Sequence, residues 1–303
     1  MADTRHRPKI NVANMNRRNF IKNSSLITAG SFGLTLQELH AITGSFGKSP
    51  LMPAIFIGHG TPMNAINDNA FTKSLVKLGK DLPRPNAIAV VSAHWLTDKT
   101  FVSVNPAPKT IYDFDGFPEA LYKVKYEPKG QPELAKEVKS LGSKIPIHED
   151  NGMGLDHGAW TVLKHIYPKA DILVFQISID YYKPPQFHYE LGQLLKKLRE
   201  KGVLIIGSGN IVHNLGYIKP KGEAYDWAIE FDKVVKDHLD KGDFMPLVNY
   251  QKLGKTAQMS IPTHDHYTPM LYVLGMANKN EHIKYLHEGL ELGSISMRSF
   301  MIG

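Results

Sequence analysis

The sequence predicts an α/β layer fold: a single domain with a central, mostly parallel sheet and helices on both faces. Two observations predict it. From Pro53 onward, short β-rich apolar runs alternate with longer amphipathic stretches, and no internal repeat, low-complexity linker or composition break divides the chain after residue 50. The runs read as buried strands are Ala54–Ile57, ended by Gly58, then Ala87–Ser92, Ile172–Ile177 and Val203–Ile206. Between and after them, apolar spacing predicts helices over Phe71–Leu78, Gln131–Leu141, Ala159–Ile166, Phe187–Lys201, Glu223–Leu239 and Pro269–Met276. The segment 105–130, rich in Pro, Tyr, Phe and Asp, is expected to run over the sheet edge, and a long ordered loop of this kind is a candidate substrate cover.

Composition narrows the function classes. The chain has 303 residues, 42% hydrophobic and 21% charged, as in an ordinary globular protein. Its formal charge of +7 would suit a polyanionic partner, but seven basic and two acidic residues precede Pro50. Most of the excess therefore belongs to the leader, and a nucleic-acid partner is not expected. There is no cysteine, which excludes disulfides, thiolate zinc sites and cysteine nucleophiles. Within the leader (residues 1–49), Asn16-Arg17-Arg18-Asn19-Phe20-Ile21-Lys22 precedes a weakly apolar Ser- and Gly-rich stretch, Ser24–Leu36. This resembles a twin-arginine export signal and predicts a periplasmic destination. The stretch is too short and too Gly-rich for a membrane anchor. Residues 50–303 form the expected catalytic domain.

The histidines carry the chemistry. His59 follows the first apolar run inside Gly58-His59-Gly60-Thr61-Pro62, His94 follows the second inside Ser92-Ala93-His94-Trp95, and His213 follows the fourth inside Gly209-Asn210-Ile211-Val212-His213. Sites in open α/β sheets form beyond the carboxyl ends of the strands, and imidazole is the usual nitrogen ligand for zinc and iron. A lone histidine after a strand is usually structural; three in matched positions predict a metal site. Pro262-Thr263-His264-Asp265-His266-Tyr267 adds a fourth ligand candidate, either His264 or His266. In Gly154-Leu155-Asp156-His157-Gly158, Asp156 is placed to cap a helix, and His157 is either incidental or an acid–base group facing the metal. The remaining eight histidines (6, 40, 148, 165, 188, 238, 282 and 287) read as structural or solvent-facing.

At this point several segments resemble the 4,5-DOPA dioxygenase extradiol family, relatives of the catalytic subunit of protocatechuate 4,5-dioxygenase. They are Pro53–Asn64, Val90–Trp95, Asp156–Trp160, Ser208–Leu215, Pro246–Tyr250 and His266–Gly275. The likeness runs from Pro53 to the end of the chain. It implies that His59, His94 and His266 hold one divalent metal, Zn(II) or Fe(II), and it favours His266 over His264. It gives His213 two roles, fourth metal neighbour or acid–base group, and makes His157 a second active-site histidine. Protocatechuate enzymes complete a two-His, one-carboxylate triad; here His266 stands in place of the carboxylate, which suits zinc at least as well as iron.

The implied reaction is extradiol cleavage of a catechol by O2, with His213 or His157 taking a phenolic proton and the other returning one as the ring opens to a semialdehyde. Tyr267, Trp95 and the 105–130 segment are candidates to face the substrate ring. Two other readings fit a His-rich site: a zinc hydrolase, in which the ion activates water, and an exported metal-binding protein.

Overall fold

The computed structural model describes residues 51–141 and 145–303. The predicted leader and its twin-arginine segment lie outside the described residues. In chain order the strands are β1 (Ala54–Gly58), β2 (Ala87–Thr97), β3 (Thr100–Ser103), β4 (Ile147–Asp150), β5 (Leu173–Asp180), β6 (Val203–Gly209), β7 (Ile283–His287), the short pair β8 (Leu290–Glu291) and β9 (Ile295–Ser296), and β10 (Ser299–Ile302). The main helices are α1 (Ala70–Asp81), α2 (Pro132–Leu141), α3 (His157–Ile166), α4 (Pro185–Leu195), α5 (Asp226–Lys241) and α6 (Thr268–Gly275). Among the described residues no helix is long and apolar enough to cross a membrane.

Eight strands form one sheet in the order β4-β3-β5-β2-β6-β1-β10-β7. Its centre, β5-β2-β6-β1, is parallel throughout and consists of the four strands predicted from continuous apolar runs. Side chains alternate across this centre, as the two-residue period of a strand requires. Ala54, Phe56, Ala89 and Val91 face one core with α2, α4, α5 and α6, whereas Ile55, Ile57, Ile88 and Val90 face a second core with α1 and α3. Both faces are therefore covered, which is why these runs carry no polar alternation.

The strands not predicted flank this centre. β3 and β10 run antiparallel to their inner neighbours β5 and β1. The outermost strands, β4 and β7, keep exposed or half-buried positions and lack a continuous apolar signature. The helix expected over Phe187–Lys201 changes after Leu195 into a tighter 3-10 turn that ends at Gly202 with a left-handed φ of 75°.

Candidate metal centre

The carboxyl ends of β2, β6 and β1 lie side by side, and the register fixes what meets there. Ser208 of β6 stands level with Ile57 of β1 and with Ser92 of β2. His59 is one residue beyond β1, its backbone N–H held by the Gly209 carbonyl at 3.0 Å. His94 does not follow β2, as the sequence suggested. It sits within the strand, where the pairing with β5 is interrupted between Val91 and Leu96, and such an irregularity re-aims a side chain. His266 comes from the turn before α6; its carbonyl accepts from Asn210 N–H at 2.8 Å. A Cβ on Gly209 would lie 2.1 Å from that carbonyl, so only glycine lets the turn approach the end of β6. His157 opens α3, and Asp156 caps that helix by accepting from Ala159 N–H. His213 lies four residues past β6, its N–H bonded to the Ser260 carbonyl.

These elements bring together all five histidines predicted for the site. The Nε2 atoms of His59 and His94 are 3.1 Å apart. Two imidazole nitrogens bound to one ion at about 2.0–2.1 Å with angles near 100° would be separated by roughly 3.1–3.2 Å. The His157 ring lies 3.8 Å from the His94 ring, and His266 lies 4.9 and 5.3 Å from His94 and His59, centroid to centroid. Candidate ligand nitrogens of His59, His94 and His157 fall within 4.8 Å of one another. His157 and His266 thus both pack against the His59–His94 pair. His213 stacks flat on His266, with centroids 3.5 Å apart and planes 6° apart. Imidazole lone pairs lie in the ring plane, so two stacked parallel rings cannot aim theirs at one ion.

Hydrogen bonds fix which nitrogen faces inward. Ser208 Oγ gives its one hydrogen to the Gly158 carbonyl at 2.6 Å, so toward His59 Nδ1, 3.0 Å away, it can only accept. His59 therefore carries its proton on Nδ1 and offers a bare Nε2. His266 Nδ1 lies 2.6 Å from Asp265 Oδ2, with the same consequence. Burial pushes the Asp265 carboxyl up, but the hydrogen bond from His266 opposes it, and Asp265 is held below the usual range. Burial, and then the neighbouring rings, lower the pKa values of His59 and His94 well below that of free imidazole. His213 falls to about 3, chiefly through burial. Neutral, pre-oriented imidazoles with inward lone pairs are the donor set a divalent ion requires. The residues present fit a metal.

Residues 52–298 match the family model described as the catalytic LigB subunit of aromatic ring-opening dioxygenase. The chain belongs to the LigB family. A protein named 4,5-DOPA dioxygenase extradiol from Escherichia coli K12 is 47% identical over 262 residues, covering 84% of this chain and 96% of its own length. One of the same name from Beta vulgaris is 37% identical over 252 residues, covering 81% and 94%. A crystal structure of an uncharacterized protein from Escherichia coli K12 superposes with a TM-score of 0.74 at 43% identity, over 83% of this chain and 100% of that one. As a LigB-family member the protein is an oxidoreductase, a metal-dependent ring-cleaving dioxygenase that uses O2. Neither the hydrolase nor the metal-binding reading is favoured.

For this LigB-family chain the structure also separates the candidates left open. His264 stacks on Tyr181 at 4.6 Å and bonds to Thr268, and no ring contact joins it to the site histidines among the described residues. Tyr267, a candidate to face the substrate, is buried; its hydroxyl donates to the Leu247 carbonyl at 2.9 Å, and its ring packs on Tyr250. Trp95 is likewise buried. The 105–130 segment does reach the site. It brings Phe114 edge-on to His157 (5.5 Å, 82°), and it brings Asp113, whose Oδ2 lies 2.9 Å from His157 Nδ1 and 3.6 Å from His94 Nδ1.

The sequence reading missed Asp113, Ser208 and Asp265 as site residues. Asp265 had a signal in its place between two histidines, whereas Ser208, inside a Gly-Ser-Gly run, stands out only once the register sets it level with Ile57 and Ser92. Asp113 had none, because nothing local connects it to a helix start 44 residues away.

Proposed function

We propose that this protein cleaves a catechol, of the DOPA type, at the carbon–carbon bond beside the diol. Both atoms of O2 enter the semialdehyde product, so the electrons balance without an external reductant. The observation that carries the reading is the convergence of His59 and His94, their Nε2 atoms 3.1 Å apart at the ends of the parallel strands that flank β6, with His157 and His266 packed against the pair. On this reading His59, His94 and His266 hold one divalent ion. Bound Fe(II) would supply Lewis acidity toward the diol oxygens and an electron path between diol and O2. His213 belongs with the acid–base groups, since its ring is stacked parallel on His266.

The chain's own residues then divide the work. His157, beside His94, takes a proton from a diol hydroxyl at Nε2 as substrate binds, histidine being the commonest general base. His213, neutral and next to His266, relays the proton that ring opening consumes. Phe114 offers an aromatic edge beside His157 where a substrate ring can pack. Residues 1–49 carry the further proposal of twin-arginine export to the periplasm. Replacing Arg17 and Arg18 by Lys would then leave the enzyme in the cytoplasm.

Anaerobic purification followed by separate loading with Fe(II) and Zn(II) tests the function. Iron-dependent oxygen uptake with DOPA or another catechol, yielding a yellow semialdehyde, is the expected result. Tight zinc binding with no oxygen uptake on any catechol would overturn it.

A further inference from the structure

We propose that Asp113 is the positioning residue of this active site: its carboxylate clamps His157 through both of that residue's N–H groups and so fixes a bare Nε2 toward the reacting diol. This deepens the function proposed above and rests on it.

The geometry is specific. Asp113 Oδ1 accepts from the His157 backbone N–H at 2.8 Å, while Oδ2 lies 2.9 Å from His157 Nδ1. An ionised carboxylate only accepts, so the nitrogen facing it must carry the hydrogen. Nε2 is then the lone-pair nitrogen, in a ring that is 5% exposed and packed at 3.8 Å on His94. The backbone N–H is one of those a helix cannot satisfy internally, because His157 is the first residue of α3. Asp156 already caps Ala159 N–H. Asp113 therefore supplies a second cap from a distant loop and reads the same residue's ring with its other oxygen. The approach of Oδ2 to His94 Nδ1, 3.6 Å, is too long for a hydrogen bond, so the clamp selects His157.

The loop is anchored on both sides of Asp113. Before it, Ile111 N–H donates to the Leu155 carbonyl at 2.8 Å, and Trp160 Nε1–H donates to the Ile111 carbonyl at 2.8 Å. Immediately before it, Tyr112 Oη–H also donates to the Val124 carbonyl at 2.6 Å; after it, Phe114 packs on Phe117, Tyr122 and Trp160. The carboxylate is thus delivered preformed, as a partner bonded to a reactive histidine must be to hold one ring orientation.

Asparagine is the discriminating substitution. Two donors on His157 need two acceptors, and an amide has one acceptor and one donor; Asp113→Asn must oppose two N–H groups at one position. Glutamate restores both acceptors at the cost of one methylene.

The test uses the full chain loaded with Zn(II) and labelled with ¹⁵N-histidine. Long-range ¹H–¹⁵N spectra report each ring's tautomer, and His157 is identified by the signal lost in His157→Gln. The wild type should show His157 protonated at Nδ1, and Asp113→Asn should show loss of that single form with one zinc per chain retained. With Fe(II) and a catechol, kcat should fall on the order of 10–100-fold while KM changes less than threefold. Asp113→Glu should recover part of both readouts. An unchanged His157 tautomer in Asp113→Asn would overturn the proposal, and so would a loss of zinc that accounts for the loss of turnover. Should Asp113→Asn fail to fold, the Asp113→Glu spectrum decides: the Nδ1–H form supports the clamp and its absence refutes it. If the wild type opens no catechol, the proposed function fails and the tautomer spectra still decide the clamp.

Discussion

Replacing Ser208 by alanine should destabilise the protein and weaken its metal site together, because one buried hydroxyl serves both. Ser208 is fully buried in β6; it donates to the Gly158 carbonyl and accepts from His59 Nδ1–H. Losing the first bond costs about 0.5–1.5 kcal/mol, and stranding the His59 N–H away from water costs about 1–3 kcal/mol. Their sum is roughly 1.5–4.5 kcal/mol, or on the order of 3–18 °C in Tm for a domain of this size. Stability would be read by thermal unfolding of the metal-stripped chain. The metal effect has a separate cause. Without the serine acceptor, His59 is free to move its proton to Nε2 and cease to be a ligand, so zinc affinity should drop on the order of 10–100-fold in a competition titration. A Ser208→Ala variant that melts within 2 °C of wild type and binds zinc within twofold would refute the reasoning at its root.

Further outcomes follow from the same geometry. His266→Ala should lose bound metal, whereas His157→Ala should keep about one ion per chain and lose turnover; metal analysis giving the reverse would move the third ligand to His157, whose nitrogen clusters with those of His59 and His94. Tyr267→Phe should cost about 1 kcal/mol by removing the hydroxyl bond to Leu247, with KM for a catechol unchanged; a raised KM would put Tyr267 back against the substrate. Acidification should destabilise the metal-stripped protein. Burial holds His59, His94, His188 and His213 below the ordinary histidine pKa. The unfolded chain therefore takes up protons first as pH falls below about 6.5, at roughly 1.4 kcal/mol per pH unit for each such ring. Denaturant midpoints that stay flat from pH 7 to 4.5 would show these rings accepting protons in place.

What could be read in the sequence follows burial and locality. The four central strands were legible because strands covered on both faces have continuous apolar runs, and β5-β2-β6-β1 are covered by α1 and α3 on one side and α2, α4, α5 and α6 on the other. The outer strands were not. β4, Ile147–Asp150, exposes two of its four residues, and β7 is buried at none of its positions, so neither shows an apolar run. The histidines were legible because strand ends and glycines mark the places where a ring can enter a site. Their partners were less so. Ser208 looks like one more small residue in a Gly-Ser-Gly run until the register sets it between Ile57 and Ser92. Asp113 belongs to a loop whose acidic residues all look alike in sequence, and only the fold selects the one that meets α3.

Those partners also bear on a departure visible in the sequence, the histidine standing where the protocatechuate enzymes are expected to have a carboxylate. Counting ligands alone, an all-imidazole site is neutral and suited to zinc. The second layer changes that count. Asp265 lies 2.6 Å from His266 Nδ1 and stays ionised despite its burial. A carboxylate bonded to the outer nitrogen of a ligating histidine raises the basicity of the inner one. On the proposed assignment, negative charge thus reaches the ion through His266, one ring further out than a direct carboxylate. Asp113 likewise bonds the Nδ1 of His157, which is assigned to the proton rather than the metal. The site therefore has two carboxylate–imidazole pairs of the same construction, both packed against the His59–His94 pair. Their different duties must come from where each Nε2 sits relative to the ion, and this is why metal content in the two histidine variants separates the roles more sharply than activity can.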